Sequence, residues 1–194
     1  DPTVTINGMT LPCAGNQVDV DSLASSFLAA CPAPFQELSR RLEAEQFYNA
    51  LLDFRLLEAP ELAFVTESSN INNLLDLDIE GVGQGDLTVS PLQMVLISSA
   101  FANRGQMPPP SIVQATRTPG GDWEPITPLG TPKGTISRDS IDAIVVLMER
   151  AVSDGAARVA KWSEQEVYGH TGMAISGPKE TLNNWFIGFT YQSN

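Results

Sequence analysis

Histidine, cysteine and basic charge are all scarce in this sequence. One histidine, His170, and two separated cysteines, Cys13 and Cys31, offer no metal-ligand spacing, so no metal site is expected, and no motif calls for a cofactor. Eleven Lys and Arg against 23 Asp and Glu leave a formal charge of -12. That balance repels phosphate backbones and anionic headgroups, which excludes nucleic-acid binding through a basic surface and leaves neutral, cationic or protein partners. No apolar run approaches the 18 or so residues that span a bilayer, so this chain is not expected to insert into a membrane. A charged leader with an apolar segment is also missing from the start at Asp1-Pro2, which points to a processed or excised fragment. No repeat, low-complexity tract or linker divides the 194 residues, and the length favours a single domain over residues 1–194.

The two cysteines leave two readings open. Paired in an oxidising compartment, they would close a loop worth roughly 3 kcal/mol by chain entropy. Unpaired, they are two small buried hydrophobes. The second reading is preferred, because two cysteines are weak evidence for a disulfide framework.

The order of elements follows from periodicity and punctuation. Val4 and Ile6 alternate with polar neighbours before the turn signal Asn7-Gly8, giving an extended lead over residues 1–20. Asp21 is placed to cap a helix carrying Leu23, Ala24, Phe27 and Leu28 on one face, which Pro32 stops. Pro34 opens another helix with Phe35, Leu38 and Leu42 on one stripe. After a phase slip near residues 43–45, a further helix buries Phe47, Leu51 and Phe54. Residues 59–82, with Asn70, Asn72 and Asn73, read as irregular surface loop. Prolines from Pro108 to Pro132, with Gly120-Gly121 at a hairpin tip, suit short edge strands. Ile141, Ile144, Val145, Met148 and Val152 then mark an amphipathic helix that Gly155 ends. Residues 167–175 and 184–191 form an antiparallel hairpin around a turn at 176–180.

The most completely specified stretch is Gly83-Gln84-Gly85, leading to Ser90-Pro91-Leu92-Gln93. Ser90 can cap, Pro91 fits the first helical position, and Gln93 can reach back to the Ser90 N–H. The helix runs to about Asn103 and is apolar around much of its circumference, through Leu92, Met94, Val95, Leu96, Ile97, Ala100 and Phe101. Such a helix belongs in the centre of a domain. Gly105 ends it where a left-handed residue is needed.

This glycine-flanked loop and capped helix resemble the G-Q-G-x-x-x-x-[TS]-P-L-Q stretch of penicillin-binding protein transpeptidase domains. A second block, Tyr168-Gly169-His170-Thr171-Gly172-Met173-Ala174 with Asn184-Trp185-Phe186-Ile187-Gly188-Phe189, is similar to that family's hairpin, whose strands carry K-T-G-T and W-F-x-G-[FY]. The resemblance spans most of the chain, but only the part of the family domain that follows the nucleophile. It implies an α+β fold, a mostly helical β-lactamase-like partial domain with a C-terminal antiparallel β-hairpin. It also implies an extracytoplasmic place in the bacterial envelope, with tethering by sequence not present here. In the family the hairpin is the inner part of a larger sheet, so an exposed edge could recruit a second copy or a partner strand.

The family's chemistry rests on S-x-x-K, S-x-N and K-T-G-[TS]. Ser176-Gly177-Pro178-Lys179 is the one S-x-x-K string, but Gly and Pro in a turn cannot set serine and lysine one helical turn apart. At the S-x-N position stands Ala30-Cys31-Pro32, preceding Phe35 as the family's S-C-N-x-x-F does. Ala30 has no hydroxyl and Pro32 no amide side chain. Ser68-Ser69-Asn70 fits the string but lies in the irregular stretch. The third motif survives as His170-Thr171-Gly172-Met173. His170 would carry only a fraction of a charge at neutral pH, and the thioether of Met173 cannot donate the hydrogen bond that a hydroxyl there makes to a carboxylate. Gly172 keeps its reason, since a side chain would block a peptide laid against the strand.

No catalytic residue is therefore intact, and His170 reads more simply as a strand residue bonded to a neighbour. The preferred reading is a transpeptidase-like domain without chemistry, binding peptidoglycan peptide or envelope proteins. The alternative is the C-terminal part of an active D,D-transpeptidase or carboxypeptidase whose nucleophile lies upstream of Asp1. An unrelated α+β interaction domain ranks last, because both blocks would have to be coincidences.

Overall fold

In the computed structural model, residues 3–6, 8–15, 20–69, 76–176 and 181–191 are described. Strands β1 (Val4–Ile6) and β2 (Met9–Leu11) pair antiparallel, with Val4, Ile6 and Leu11 buried beneath them. Helices α1 (Leu23–Leu28), α2 (Pro32–Ser39) and α3 (Ala44–Asp53) follow, then a short α4 (Leu77–Glu80) and the long α5 (Pro91–Ala102). Four two-residue strands come next: β3 (Gln106–Met107), β4 (Ala115–Thr116), β5 (Glu124–Pro125) and β6 (Lys133–Gly134). Helix α6 (Arg138–Ser153), a 3-10 turn at Arg158–Ala160 and the hairpin β7 (Val167–Ser176) with β8 (Thr181–Thr190) complete the order. The mixed helix and sheet and the C-terminal antiparallel hairpin are those expected.

The hairpin organises the core. Helix α6 packs against β7 and α5 against β8, and Tyr168 and Phe189 of the hairpin reach the cluster formed by Ile97, Ala100, Phe101, Ile141 and Met148. Leu51 of α3 and Leu56 after it close the same core, with Phe47 and Phe54 packed against it. Tyr168 and Phe189, a directly opposed cross-strand pair, stack with centroids 5.1 Å apart. Such pairs are the unit of sheet stabilisation. A second cluster joins β1 and β2 to Ala33 of α2, Ile79 of α4 and Ile175 at the far end of β7.

Local sequence explains most boundaries. Ser90 Oγ accepts from Gln93 N–H at 3.2 Å, and Gln93 Oε1 accepts from Ser90 N–H at 2.9 Å, completing the capping box with Pro91 in the first turn. Only part of α5 is central: Ile97, Ala100 and Phe101 are buried, but Val95 is 61% exposed. Gly105 adopts φ +86° after the helix end, as a residue without Cβ can at little cost.

Several expectations need correction. Ser22, not Asp21, caps α1, because its Oγ accepts from Ser25 N–H while Asp21 instead accepts from the Ser25 hydroxyl. Pro32 stands at the start of α2 instead of between helices, since proline lacks only an N–H that the first turn leaves unused. Leu38 and Leu42 of the expected stripe face outward, 41% and 37% exposed. Within the supposed loop 59–82, α4 forms and is held to α2 by an Arg40–Asp78 ion pair at 2.6 Å. Four residues are too few to show a helical period. Cys13 and Cys31 are joined by a disulfide, against the unpaired reading. Ladder-like bonds from Ala14 N–H to Ala30 O (3.3 Å) and from Gly15 N–H to Ala29 O (3.0 Å) bring their segments side by side. The turn signal at Asn7, the asparagines Asn70, Asn72 and Asn73, and Gly177, Pro178 and Lys179 of the turn lie outside the described residues.

Candidate functional site

A cavity of about 460 Å³ opens between the α1–α2 junction, the loop after α4, helix α5 and strand β7. Ala30, Cys31 and Pro32 line one wall and His170, Thr171, Gly172 and Met173 another. Two segments about 140 residues apart in the chain thus meet across one cavity. Gly83 also lines the space. Gly85, Pro91, Leu92 and Gln93 do not, and belong to the scaffold behind it. Phe35, Leu87, Val89, Met94, Ile97 and Trp185 supply apolar walls.

Each polar position has its business elsewhere. Ala30 holds φ +48°, a left-handed conformation unusual for a residue with a Cβ and of the sort kept where surrounding structure over-determines the backbone. Its methyl side chain offers no hydroxyl to the cavity. Cys31 is fully buried and disulfide-bonded, so no thiolate is available. Pro32 presents only ring carbons.

His170 is tied to α1. Its Nε2 lies 2.8 Å from the Phe27 carbonyl, and its ring centroid is 4.0 Å from that of Phe27. A carbonyl can only accept, so the proton sits on Nε2. Burial pushes the imidazole pKa below its ordinary value, and the Phe27 bond only partly opposes this. The ring is neutral at pH 7, where a family lysine would be cationic. Thr171 Oγ1 donates to the Trp185 carbonyl at 3.0 Å, so its hydroxyl ties the two strands together. A Cβ added at Gly172 would meet nothing within 4 Å, so the strand surface stays open there. Met173 contributes a thioether beside the cavity.

Among the lining residues there is no carboxylate, lysine or arginine, and His170 is the one group that titrates near neutrality. Among the described residues no nucleophile is paired with it as covalent catalysis requires. The Ser68-Ser69-Asn70 string is no substitute: neither serine lines the cavity, and the Ser69 hydroxyl donates to Gln93 Oε1 at 3.0 Å.

Sequence reading named Phe27 and Gln93 without their full roles and missed Glu80. Phe27 supplies both a carbonyl and a ring to His170. Gln93 does more than cap: its buried Nε2 donates to the Leu56 carbonyl at 2.7 Å, fixing the segment after α3. Glu80, 6% exposed, accepts from Asp86 N–H at 2.6 Å and organises the glycine-flanked loop. Its position just before Gly81-x-Gly83-x-Gly85 is the only signal the sequence offers, since a Cβ at Gly85 would collide with the Glu80 carboxylate.

Comparison with known proteins agrees with this layout. A family model described as the penicillin binding protein transpeptidase domain matches residues 12–194. Penicillin-binding protein 3 of Bacillus subtilis (strain 168) is 25% identical over 171 residues, covering 82% of this chain and 24% of that protein. Among solved structures, a ceftriaxone acyl-enzyme complex of penicillin-binding protein A from M. tuberculosis superposes with a TM-score of 0.78 at 22% identity, over 97% of this chain and 45% of that one. The D,D-transpeptidase domain of a peptidoglycan glycosyltransferase from Eggerthella lenta gives a TM-score of 0.79 at 17% identity, over 97% and 50%. The chain therefore spans about a quarter of the curated relative and half or less of these solved ones. At these identities the solved structures show the fold.

Proposed function

The chain belongs to the penicillin-binding protein transpeptidase domain family, and from that premise we propose that it keeps the family's scaffold without its chemistry. On this reading it serves in the extracytoplasmic cell envelope as a binding or structural module. The supporting observation is the composition of the cavity: its two motif walls meet, yet they present Ala30, a disulfide sulfur, Pro32, a neutral imidazole and a thioether. Acyl transfer needs an activated nucleophile and preorganised donors at the developing oxyanion. Backbone groups along β7 remain suited to an extended peptide, which binds by adding a strand. The ligand class this supports is a short peptidoglycan peptide, held through main-chain bonds and apolar walls without being cleaved.

Fluorescent penicillin followed by a denaturing gel tests the reading. No covalent band is expected from this chain, and a band would overturn it. A second reading is favoured by one observation, that the chain spans half or less of its solved relatives. In that reading the nucleophile is supplied by a longer polypeptide of which this is the C-terminal part. Labelling of the full gene product, with Ser→Ala exchange at any upstream S-x-x-K, separates the two.

A further inference from the structure

Where a third strand would lie beside β7, a side chain stands instead. Gln84 Nε2 donates to the Met173 carbonyl at 2.8 Å, and Ile175 N–H donates to Gln84 Oε1 at 2.9 Å. The oxygen and one N–H of a carboxamide point the same way, as the C=O and N–H of one residue of a neighbouring strand do.

The register shows which edge is occupied. Ile175 opposes Leu182 in β8, yet its N–H points to Gln84 and so away from β8. Antiparallel pairs alternate, so Met173 opposite Asn184 and Thr171 opposite Phe186 also turn their N–H and C=O outward. Gln84 takes the Met173 C=O and the Ile175 N–H. The outward groups of Thr171 and the N–H of Met173 are left on the part of the strand that lines the cavity.

The carboxamide is held in place by its loop. Gln84 N–H donates to the Ile79 carbonyl at 3.0 Å, Gly83 turns the chain at φ +69°, and the Glu80 carboxylate fixes Asp86. Gln84 is thus presented to β7 by a buttressed turn and does not depend on chance surface contact.

We propose that Gln84 is a specificity-determining residue that closes the ligand edge of β7 at Met173, so that the site takes the end of a short extended peptide and rejects one continuing toward Ile175. This rests on the peptide-binding reading above. At about 3.3 Å per residue, the edge from Thr171 to Met173 accommodates about two or three residues of ligand. Positions beyond that meet the carboxamide, which must leave two hydrogen bonds to admit them.

The test is a length series of binding measurements with diacetyl-L-lysyl-D-alanyl-D-alanine and with the same peptide extended by three residues at either end. The wild-type chain should bind the tripeptide and reject at least one extension. Gln84→Ala should bind the rejected extension about tenfold tighter than wild type, with the tripeptide little changed. Gln84→Asn, which withdraws the carboxamide by one methylene, should behave alike. Hydrogen exchange supplies the control: the Ile175 amide should lose protection in both variants while the Gly172 amide, facing β8, keeps it. An unchanged length dependence in both variants overturns the role of Gln84 while leaving peptide binding intact. Failure of every peptide to bind wild type and variants alike overturns both.

Discussion

The two walls of the cavity have fared differently. On the peptide-binding reading the β7 wall recognises through backbone, and its shape is secured by several independent contacts: the cross-strand register, the stacked Tyr168 and Phe189, helices α5 and α6 behind it, and the Gln84 clamp. On the same reading the α1–α2 wall corresponds to the one that works through side chains in the family, and Ala30 and Pro32 offer it neither a hydroxyl nor an amide. The turn there holds a left-handed Ala30 and the Cys13–Cys31 disulfide. A scaffold spread over dozens of packing contacts tolerates the loss of a few reactive atoms; chemistry concentrated in those atoms does not. On the proposed reading, fold and reaction have parted company within this one site.

The sharpest way to break the α1–α2 wall is to open its disulfide. Exchange of both Cys13 and Cys31 for alanine should cost about 3 kcal/mol, from an 18-residue separation, measured by denaturant unfolding under non-reducing conditions. Reduction of the native chain should reproduce the loss and leave the double variant unaffected. A smaller effect is expected behind the β7 wall. Gln93→Ala removes a buried carboxamide that serves Ser90, Ser69 and the Leu56 carbonyl, and should cost about 2 kcal/mol in the same measurement.

The smallest effect joins the walls. Burial lowers the His170 pKa in the folded chain below its ordinary value of 6.5. The unfolded state then binds the proton more readily, so stability rises with pH through this region. The contribution of the neutral ring is fully present above pH 6.5 and is lost as pH falls from there through the folded-state value. His170→Gln should flatten the acid side of a plot of unfolding free energy against pH, and an unchanged profile would remove His170 as the link between β7 and Phe27.

Much of this was legible in the sequence, and the pattern of misses is physical. Helices α3, α5 and α6 and the hairpin carry many turns or alternations, so periodicity located them, and the capping box marked the start of α5 to the residue. Proline misled at Pro32 because the same ring that ends one helix suits the first turn of the next. Helix α4 is shorter than the window that reveals a period. The motif positions Ala30–Pro32 and His170–Met173 were paired through resemblance, and the cavity brings them together. Glu80 escaped, as did the bonds made by Gln84 and Phe27, because each acts on backbone far away in sequence or around a turn, through a bond that leaves no repeat behind.

The central proposal is that the cavity described for this chain holds no side chain that a β-lactam can acylate. Intact-mass measurement after prolonged incubation with a penicillin addresses it most directly. The account predicts the unmodified 20.9 kDa chain at every time point. A species heavier by the mass of one opened β-lactam would contradict it.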